Sequence, residues 1–432
     1  MKTKLTGLLA GTAMFALSAT SAMAEDLVIF WAEWDPANYL QELVNDYTEE
    51  TGVSVTVETT PWPDFQTKTF AELNARGDAY DMVVGDSQWL GAASTGGHYV
   101  DLTEWYAQHG VKDIMTPATV TYYAEYPKGS GTYWSVPLEG DANGWAYRKD
   151  WFEDPAEMAA FKEKYGYDLG VPKDFNQLID IAEFFHRPDD NRYGVALYTQ
   201  TAYDAMAMGV EQTIFTWGGD LGDYATNQVD GILNSPQNVE ALEAYRKLYT
   251  FTPPNWTQAF FLENNQAFTE GLVALNMNYF AFFPALANSA INPHAANTGY
   301  FANPPGPNGD HHAALGGQGV SIIEYSRNKD EAFKFLEWFI RDDVQKKWAE
   351  LGGYTAHAGT LSSPEFLNAT PYNKAFAESM EIVKDFWANP QFADMLFQMN
   401  DRLHPYITTG EGSAKESLDA LAEDWNKTLG NN

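Results

Sequence analysis

The feature that most constrains the fold is an alternation of apolar and amphipathic runs near the start of the chain. Three apolar runs, Leu27–Trp31, residues 53–57 and Tyr80–Val84, predict strands. Between them, helices are predicted over residues 36–52 and Phe65–Arg76, and a glycine follows or closes each helix. This βαβαβ order is typical of a parallel, doubly wound sheet with right-handed crossovers.

The loop after each predicted strand carries at least one carboxylate and at least one Trp. These loops are Trp31–Asp35, Pro61–Asp64 and Gly85–Trp89. Ligands of such sheets bind beyond the carboxyl ends of the strands, so we expect the loops to line one wall of a site. They lack the G-x-G-x-x-G and G-K-[ST] patterns of phosphate-binding turns, which disfavours a nucleotide ligand.

A polar segment, Glu139–Gly144, joins two further apolar runs that both predict strands, one at residues 134–138 and one at Trp145–Arg148. Two glycines and three polar side chains allow it to absorb a change of backbone dihedral angles and to present carboxylates. We interpret it as a hinge at the floor of a cleft. A β-hairpin connection on the surface is the alternative.

The chain beyond this segment has the composition of a second α/β body. The full sequence of 432 residues exceeds one ordinary domain, so two or three lobes are expected. The predicted fold class is α/β, with two doubly wound lobes between which the chain crosses more than once. Predicted helices and strands of the second body are Pro155–Tyr165, Asp174–His186, Tyr193–Leu197, Ala205–Trp217, Ser235–Tyr249, Leu272–Met277, Thr298–Ala302 and Gly319–Ile323.

Residues 1–24 have the pattern of a signal peptide, with two early lysines, an apolar stretch and an A-x-A motif at Ala22–Ala24. The sequence contains no cysteine, so no lipid-modified cysteine is expected at the new N-terminus. We therefore expect an exported protein that is free in the periplasm. A net charge of −33 disfavours nucleic acid and anionic membrane surfaces as partners.

Catalytic and metal motifs are few. Glu139 and Asp141 form a carboxylate pair, which leaves a secreted glycoside hydrolase open as an alternative. Gly85–Trp89 lacks the second glycine of a nucleophile elbow. No H-E-x-x-H motif is present, and His311 and His312 lie in a loop rich in Gly and Pro. No metal or cofactor is predicted.

The predicted wall therefore consists of Trp and carboxylate side chains with few basic residues nearby. Ionised carboxylates accept hydrogen bonds, and Trp faces suit either an apolar surface or a cation. A sugar or sugar alcohol offers hydroxyl donors and C–H faces, whereas a polyamine or quaternary amine offers positive charge. Both ligand classes stay open at this point, and an anionic ligand does not fit.

Short segments along nearly all of residues 25–432 resemble, in their order and spacing, the extracellular solute-binding proteins of carbohydrate ABC importers, the maltose-binding-like family. These segments are Gly85–Ser87, Tyr133–Pro137, Tyr147–Phe152, Trp217–Gly219, Phe268–Leu275, Gly316–Gly319 and Asn328–Ala332. The resemblance implies a ligand held between two lobes that three crossings join. It places the crossings near Pro137–Asp141, Met277–Tyr279 and Glu324–Arg327.

The resemblance also implies lobe boundaries and site residues. Residues 25–137 and 279–325 would form the first lobe, and residues 138–278 and 326–432 the second. The implied ligand-binding residues are Glu33, Trp34, Asp64, Asp86, Gln88, Glu139, Asp141, Trp217, Tyr279, Gly317, Gln318 and Tyr354. Many members place Trp after the strand that ends at Met277, whereas this chain has Asn278-Tyr279-Phe280, so the ring count of the ligand stays open.

The function that this resemblance implies is capture of a neutral sugar, sugar alcohol or small glycoside by closure of the two lobes. The protein would act as a monomer, without a cofactor and without an enzymatic step. It would deliver its ligand to the membrane permease of an ABC importer.

Overall fold

A computed structural model describes residues 26–431 of the chain. The predicted signal peptide, residues 1–24, lies outside the described residues. The strands of the described chain are β1 (Leu27–Ala32), β2 (Val55–Thr60), β3 (Met82–Asp86), β4 (Val136–Glu139), β5 (Asn143–Arg148), β6 (Tyr193–Ala196), β7 (Val273–Tyr279), β8 (Thr298–Ala302), β9 (Ala313–Ala314), β10 (Gln318–Ile322) and β11 (Val383–Lys384).

Helices cover most of the remaining chain, and no helix within residues 26–431 is long and apolar enough to span a bilayer. The α-helices are α1 (Asp35–Thr51), α2 (Trp62–Ala75), α3 (Leu90–Thr95), α4 (Thr103–His109), α5 (Val111–Ile114), α6 (Pro117–Thr119), α7 (Lys149–Phe152), α8 (Pro155–Tyr165), α9 (Phe175–Phe185), α10 (Ala205–Thr216), α11 (Pro236–Tyr249), α12 (Phe261–Thr269), α13 (Phe283–Ala287), α14 (Lys329–Phe339), α15 (Asp342–Leu351), α16 (Ala358–Leu361), α17 (Pro364–Ala369), α18 (Asn373–Met380), α19 (Phe392–Thr409) and α20 (Ala414–Leu429).

The first sheet has five strands in the order β2-β1-β3-β10-β4. β1 runs parallel to β2 and β3, which confirms the predicted βαβαβ unit, whereas β10 is antiparallel to both of its neighbours. α1 forms as expected because Pro36 stands in its first turn and apolar residues recur every three or four positions. It ends at Gly52, whose φ of 79° lies in the left-handed region that glycine favours.

The second sheet has four strands in the order β6-β7-β5-β8. β6 is parallel to β7, so their carboxyl ends meet at one edge, and β5 is antiparallel to β7 and β8. Every residue of α10 is buried, and this helix packs against α11, α19 and the short strand β9. Two short parallel strands, β9 and β11, form a separate pair.

The sheet pairing shows where the chain passes from one sheet to the other, and it corrects one predicted crossing. Between β4 and β5 the chain passes from the first sheet to the second at residues 140–142, inside the predicted hinge Glu139–Gly144. The predicted crossing at Met277–Tyr279 does not occur, because these residues continue β7. β8 also pairs with β5, so residues 298–302 belong to the second sheet rather than to the first lobe.

The predicted crossing at Glu324–Arg327 is not found either, because the helices after β10 stay with the first sheet. The ring of Tyr47 on α1 lies 5.4 Å from that of Phe335 and 5.2 Å from that of Trp338. Lys347 on α15 pairs with Asp46. We propose lobes of residues 26–139 with 316–351 and of residues 143–315 with 358–431.

Candidate functional site

The crossing segment at residues 140–142 is held by backbone hydrogen bonds from three later parts of the chain. The Gly140 N–H donates to the Tyr354 carbonyl over 2.5 Å, and the Gly316 N–H donates to the Asp141 carbonyl over 3.1 Å. The Phe280 N–H donates to the Ala142 carbonyl over 3.0 Å. Residues far apart in sequence therefore meet at the base of the cleft between the two sheets.

Beside this crossing lies a small cavity of about 30 Å³, which we call the aromatic cavity. Both lobes contribute to its wall, because Trp34 and Trp62 follow β1 and β2, whereas Phe261 and Phe282 come from segments around β7. The residues that line it are Glu33, Trp34, Trp62, Asp141, Met208, Phe260, Phe261, Tyr279, Phe282 and Gly316.

The rings of this cavity contact one another across the cleft. The Trp34 ring centroid lies 5.6 Å from that of Trp62 and 6.3 Å from that of Phe282. Phe261 and Phe282 stack at 4.1 Å. Two polar atoms in this wall, Nε1 of Trp34 and the hydroxyl of Tyr279, are buried without a hydrogen-bond partner, and such atoms are the ones that a ligand can satisfy.

Next to the cavity, six carboxyl groups are buried, and we call them the carboxyl cluster. No Lys or Arg of residues 26–431 forms an ion pair with any of them. No set of three or more His, Asp and Glu side chains in the described chain is arranged to hold a metal ion. The members of the cluster are Asp86, Glu139, Asp141, Asp204, Glu211 and Asp385.

Hydrogen bonds between the lobes pass through this cluster. The Tyr203 hydroxyl donates to Asp86 over 3.1 Å and accepts from Nε1 of Trp89 over 2.8 Å. Nε2 of Gln88 donates to Oδ2 of Asp204 over 3.1 Å, and Nε1 of Trp62 lies 3.4 Å from the other Asp204 oxygen. The lobes are therefore closed on each other at this edge.

Burial raises the pKa of the carboxyl groups in the cluster. It raises the pKa of Asp86 to about 6, against hydrogen bonds from Tyr203 and Gln88 that lower it. Burial also raises the pKa of Asp141 to about 8, although backbone N–H groups donate to its carboxyl. The pKa of Asp385 is raised to about 8 by burial as well.

The other three members shift in the same direction. Burial, then repulsion from Asp141 and Asp86, raises the pKa of Glu139 well above its usual range. Burial and repulsion from Asp86 do the same to the pKa of Asp204, and burial and repulsion from Asp385 to that of Glu211. With pKa values of about 8, Asp141 and Asp385 hold their protons at neutral pH in this closed state, so each can both donate and accept hydrogen bonds.

Several polar atoms of the cluster and its surroundings lack a partner. Both carboxyl oxygens of Glu139 are buried and unpaired, as are the hydroxyl of Tyr123, one oxygen of Glu211 and one of Asp385. Burying such groups without hydrogen bonds costs free energy. A polar ligand in the cleft would supply the missing partners.

The structure brings most of the predicted site residues together. Glu33, Trp34, Asp141 and Tyr279 line the aromatic cavity. Asp86, Gln88, Glu139 and Gln318 are buried polar residues at the facing ends of β3, β4 and β10. These residues are joined by direct contacts, which include the bond between Nε2 of Gln88 and Asp86 at 3.3 Å and the pairing of Gln318 with Glu139.

Four predicted residues have other surroundings. A Cβ on Gly317 would lie 2.1 Å from the Glu139 carbonyl, so this residue permits close packing of the crossing. The Tyr354 hydroxyl donates to the Phe280 carbonyl. Asp64 is exposed on the first turn of α2, and the buried Trp217 ring packs edge-on against Phe175 at 4.9 Å, away from the cavity wall.

Sequence reasoning missed most of the second-lobe wall. Tyr203 and Asp204 precede α10 in the loop after β6, and the strand-end rule that found the first wall would have found them too. Phe282 follows β7 in the same way. Glu211 inside α10 and Asp385 after β11 carry no comparable signal.

The fold is that of two α/β lobes that close on a cavity lined from both sides. The model of the family "Bacterial extracellular solute-binding protein" matches residues 32–346, and the chain belongs to that family.

Individual relatives are distant in sequence and close in fold. The chain is 23% identical over 328 residues to an erythritol/L-threitol-binding protein of Mycolicibacterium smegmatis, a match that covers 73% of this chain and 66% of that protein. A solute-binding protein of Agrobacterium radiobacter solved with ribitol superposes with a TM-score of 0.77 at 22% identity, covering 93% of this chain and 98% of that one. Maltose-bound MalE3 of T. maritima gives 0.78 at 18% identity, covering 94% and 100%.

Proposed function

We propose that this protein is the periplasmic substrate-binding component of an ABC importer and that it captures a sugar or a sugar alcohol by closure of its two lobes. The observation that carries the proposal is the enclosure of unpaired polar atoms by both lobes. Glu139 and Tyr123 in the first lobe and Tyr279 in the second each present at least one buried, unpartnered oxygen, which a hydrogen-bonding ligand can satisfy.

The chemistry of the wall favours a polyhydroxylated ligand. Protonated carboxyl groups donate and accept hydrogen bonds, as hydroxyl groups do, so the carboxyl cluster and a polyol complement each other. The rings of Trp34 and Phe282 suit the C–H faces of the same ligand. The relatives solved or named with erythritol and ribitol support this ligand class.

The size of the site favours a small ligand. In the closed lobes the free space of the aromatic cavity is only about 30 Å³, well below the roughly 300–1,000 Å³ of small-molecule sites, so the walls must move apart to admit a ligand. We therefore place four- to six-carbon sugar alcohols and monosaccharides ahead of oligosaccharides, because they require the smaller displacement of the walls. Closure would follow from contacts that the ligand makes with both lobes at once.

Delivery to a membrane permease, action as a monomer and a periplasmic location are parts of the same proposal, which family membership supports. A chain without enzymatic activity is proposed on the same ground. The alternative of a glycoside hydrolase has weak support from the site, because both oxygens of Asp141 accept hydrogen bonds from the backbone N–H of Ala281 and one also accepts from Ala142.

A ligand-induced melting panel tests the proposal, because a ligand that binds only the folded state raises Tm. The probes are erythritol, L-threitol, ribitol, mannitol, tagatose and maltose, each followed by calorimetry. We expect a clear shift with at least one four- to six-carbon compound. Turnover of an oligosaccharide panel that Glu139→Gln abolishes would contradict the proposal and support the hydrolase.

The second candidate is a cationic ligand, because within residues 26–431 no basic side chain forms an ion pair with the carboxyl cluster, and six aromatic residues line the cavity. Sorbitol and N-methylglucamine share one carbon chain and differ in a charged amine, so they form a matched pair. Equal or tighter binding of sorbitol supports the neutral ligand. Binding of the amine alone supports the cation.

A further inference from the structure

A second contact between the lobes lies at the edge of the cleft away from the aromatic cavity. It starts from a turn of the first lobe in which Ser130 N–H donates to the Pro127 carbonyl over 3.0 Å. The Glu125 carboxylate accepts from the Gly131 N–H over 2.7 Å, and an isolated bridge joins Glu125 to Tyr133. These bonds fix the turn, and Lys128 stands at its tip.

The ammonium group of Lys128 lies between two tyrosine rings. Its Nζ is 4.5 Å from the ring centroid of Tyr122, which belongs to the first lobe, and 5.1 Å from that of Tyr224, which belongs to the second. Both distances are within the range of an attractive cation–π contact, which is about 6 Å. The lysine therefore joins the lobes through an aromatic ring on each side.

The receiving side in the second lobe is built from several contacts. The Tyr224 hydroxyl donates to Asp220 over 2.7 Å, and Lys384 pairs with the other oxygen of the same carboxylate at 2.7 Å. The Tyr224 ring also lies 5.1 Å from the ring of Trp387. Tyr224 is thus held in place before Lys128 reaches it.

Lys128 carries its charge to this edge without an ion pair of its own. Within residues 26–431, no carboxylate oxygen lies at ion-pair distance from its Nζ. Burial lowers the pKa of Lys128, whereas attraction by Asp220 and Asp385 opposes that shift. The Tyr122 hydroxyl also accepts a hydrogen bond from Nζ over 3.5 Å. The two tyrosines are consequently the main partners of the ammonium group, and the contact with Tyr224 is the one that joins it to the other lobe.

We propose that Lys128 is a positioning residue for ligand capture, which holds the closed state by stacking on Tyr224 and slows release without touching the ligand. The inference rests on the proposed function. Lys128 is not part of the aromatic cavity wall, and it lines a separate cleft with Tyr126, Asn227 and Trp387.

Stopped-flow binding of erythritol or ribitol, whichever binds more tightly to the wild type, tests the proposal. Lys128 is exposed at the surface of the chain. Lys128→Met should therefore raise the dissociation rate about 2- to 5-fold and leave the association rate within about twofold, because a cation–π contact at an exposed site is worth about that ratio. Lys128→Arg keeps the cation and should restore the wild-type rate.

Tyr224→Leu should match Lys128→Met, and the double variant should be no worse than either single variant, because both remove the same contact. Tyr224→Phe keeps the ring and should retain most of the effect of the wild-type residue. A dissociation rate of Lys128→Met within 1.5-fold of wild type, or roughly multiplicative effects in the double variant, would overturn the inference.

A second readout separates this inference from the proposed function. The chain has no cysteine, so spin labels at Glu104→Cys and Asp189→Cys, exposed on the two lobes, report the distance between the lobes in the protein without ligand. Lys128→Met should increase the open population relative to wild type and to Lys128→Arg. If no polyol binds, the proposed function fails, and an unchanged distance distribution then rejects the role of Lys128.

Discussion

The two walls of the cleft are built by different means. In the first lobe, Trp34 and Asp86 stand where parallel strands end, so the sheet itself carries them to one edge. In the second lobe, Glu211 lies inside a buried helix and Asp385 follows a two-residue strand. The position of the first wall therefore depends on strand register, and that of the second wall depends on how helices and loops pack.

Removal of Trp34 is expected to have the largest effect on binding. The Trp34 ring contacts Trp62 and, across the cleft, Phe282. Trp34→Ala should raise the Kd of the tightest polyol about 30-fold, as expected for a buried aromatic hot spot. Calorimetry measures it, with Phe397→Ala, which is half-exposed on α19, as the control.

The Kd of Phe282→Ala in the same assay measures the contribution of the second-lobe wall to affinity. An equal loss in both variants indicates that the walls contribute equally to affinity. If Trp34→Ala binds as the wild type does, the first-lobe wall does not contact the ligand, and the account of the site is wrong.

The pH dependence of the free energy of unfolding is expected to differ between Asp86 in the first wall and Asp385 in the second. Well below pH 4, Asp86 and Asp385 are protonated in both the folded and the unfolded chain. As pH rises, the unfolded chain loses these protons first, so each group lowers the free energy of unfolding by about 1.4 kcal/mol per pH unit. That decline ends near the folded pKa, about 6 for Asp86 and about 8 for Asp385.

Denaturant titrations of the protein without ligand check this at several pH values. Asp86→Asn should flatten the decline only up to about pH 6, and Asp385→Asn should flatten it up to about pH 8. The exposed Asp189→Asn serves as the control and should leave the curve unchanged. Two identical curves for the Asp86 and Asp385 variants would contradict the difference between the walls.

The smallest effect on binding is expected at Trp217, which sequence reasoning placed in the site. Its buried ring packs against Phe175 and not against the cavity. Trp217→Ala should lower the free energy of unfolding by about 3 kcal/mol and leave Kd within about twofold, because it removes core packing alone. A Kd raised tenfold or more would return Trp217 to the ligand site.

The sequence predicts the first lobe well because its signals are local. Apolar runs and helix ends give β1, α1, β2, α2 and β3, and parallel pairing then brings Trp34 and Asp86 to one edge. The later crossings could not be predicted in this way. Their positions follow from the pairing of β8 with β5 and from the packing of α14 and α15 on α1, which are long-range contacts with no local pattern.

Burial of the carboxyl groups was also beyond sequence reasoning. The segment Glu139–Gly144 has the composition of an exposed turn, yet Glu139 is 0% and Asp141 1% exposed. Contacts of Gly140 with Tyr354 and of Asp141 with Gly316 cover this segment, and both partners come from distant parts of the chain. Only the folded structure shows that both acids are buried and that Asp141 lines the aromatic cavity.

The most direct test of ligand binding between the two walls is a crystal structure of the protein with the sugar alcohol that gives the largest melting shift. We expect closed lobes and one ligand whose carbon chain lies against Trp34 and Phe282. Its hydroxyl groups should be within hydrogen-bonding distance of carboxyl groups from both walls, including Glu139 and Asp204. A ligand bound elsewhere, or one that contacts the rings while these carboxyl groups turn to solvent, would contradict it.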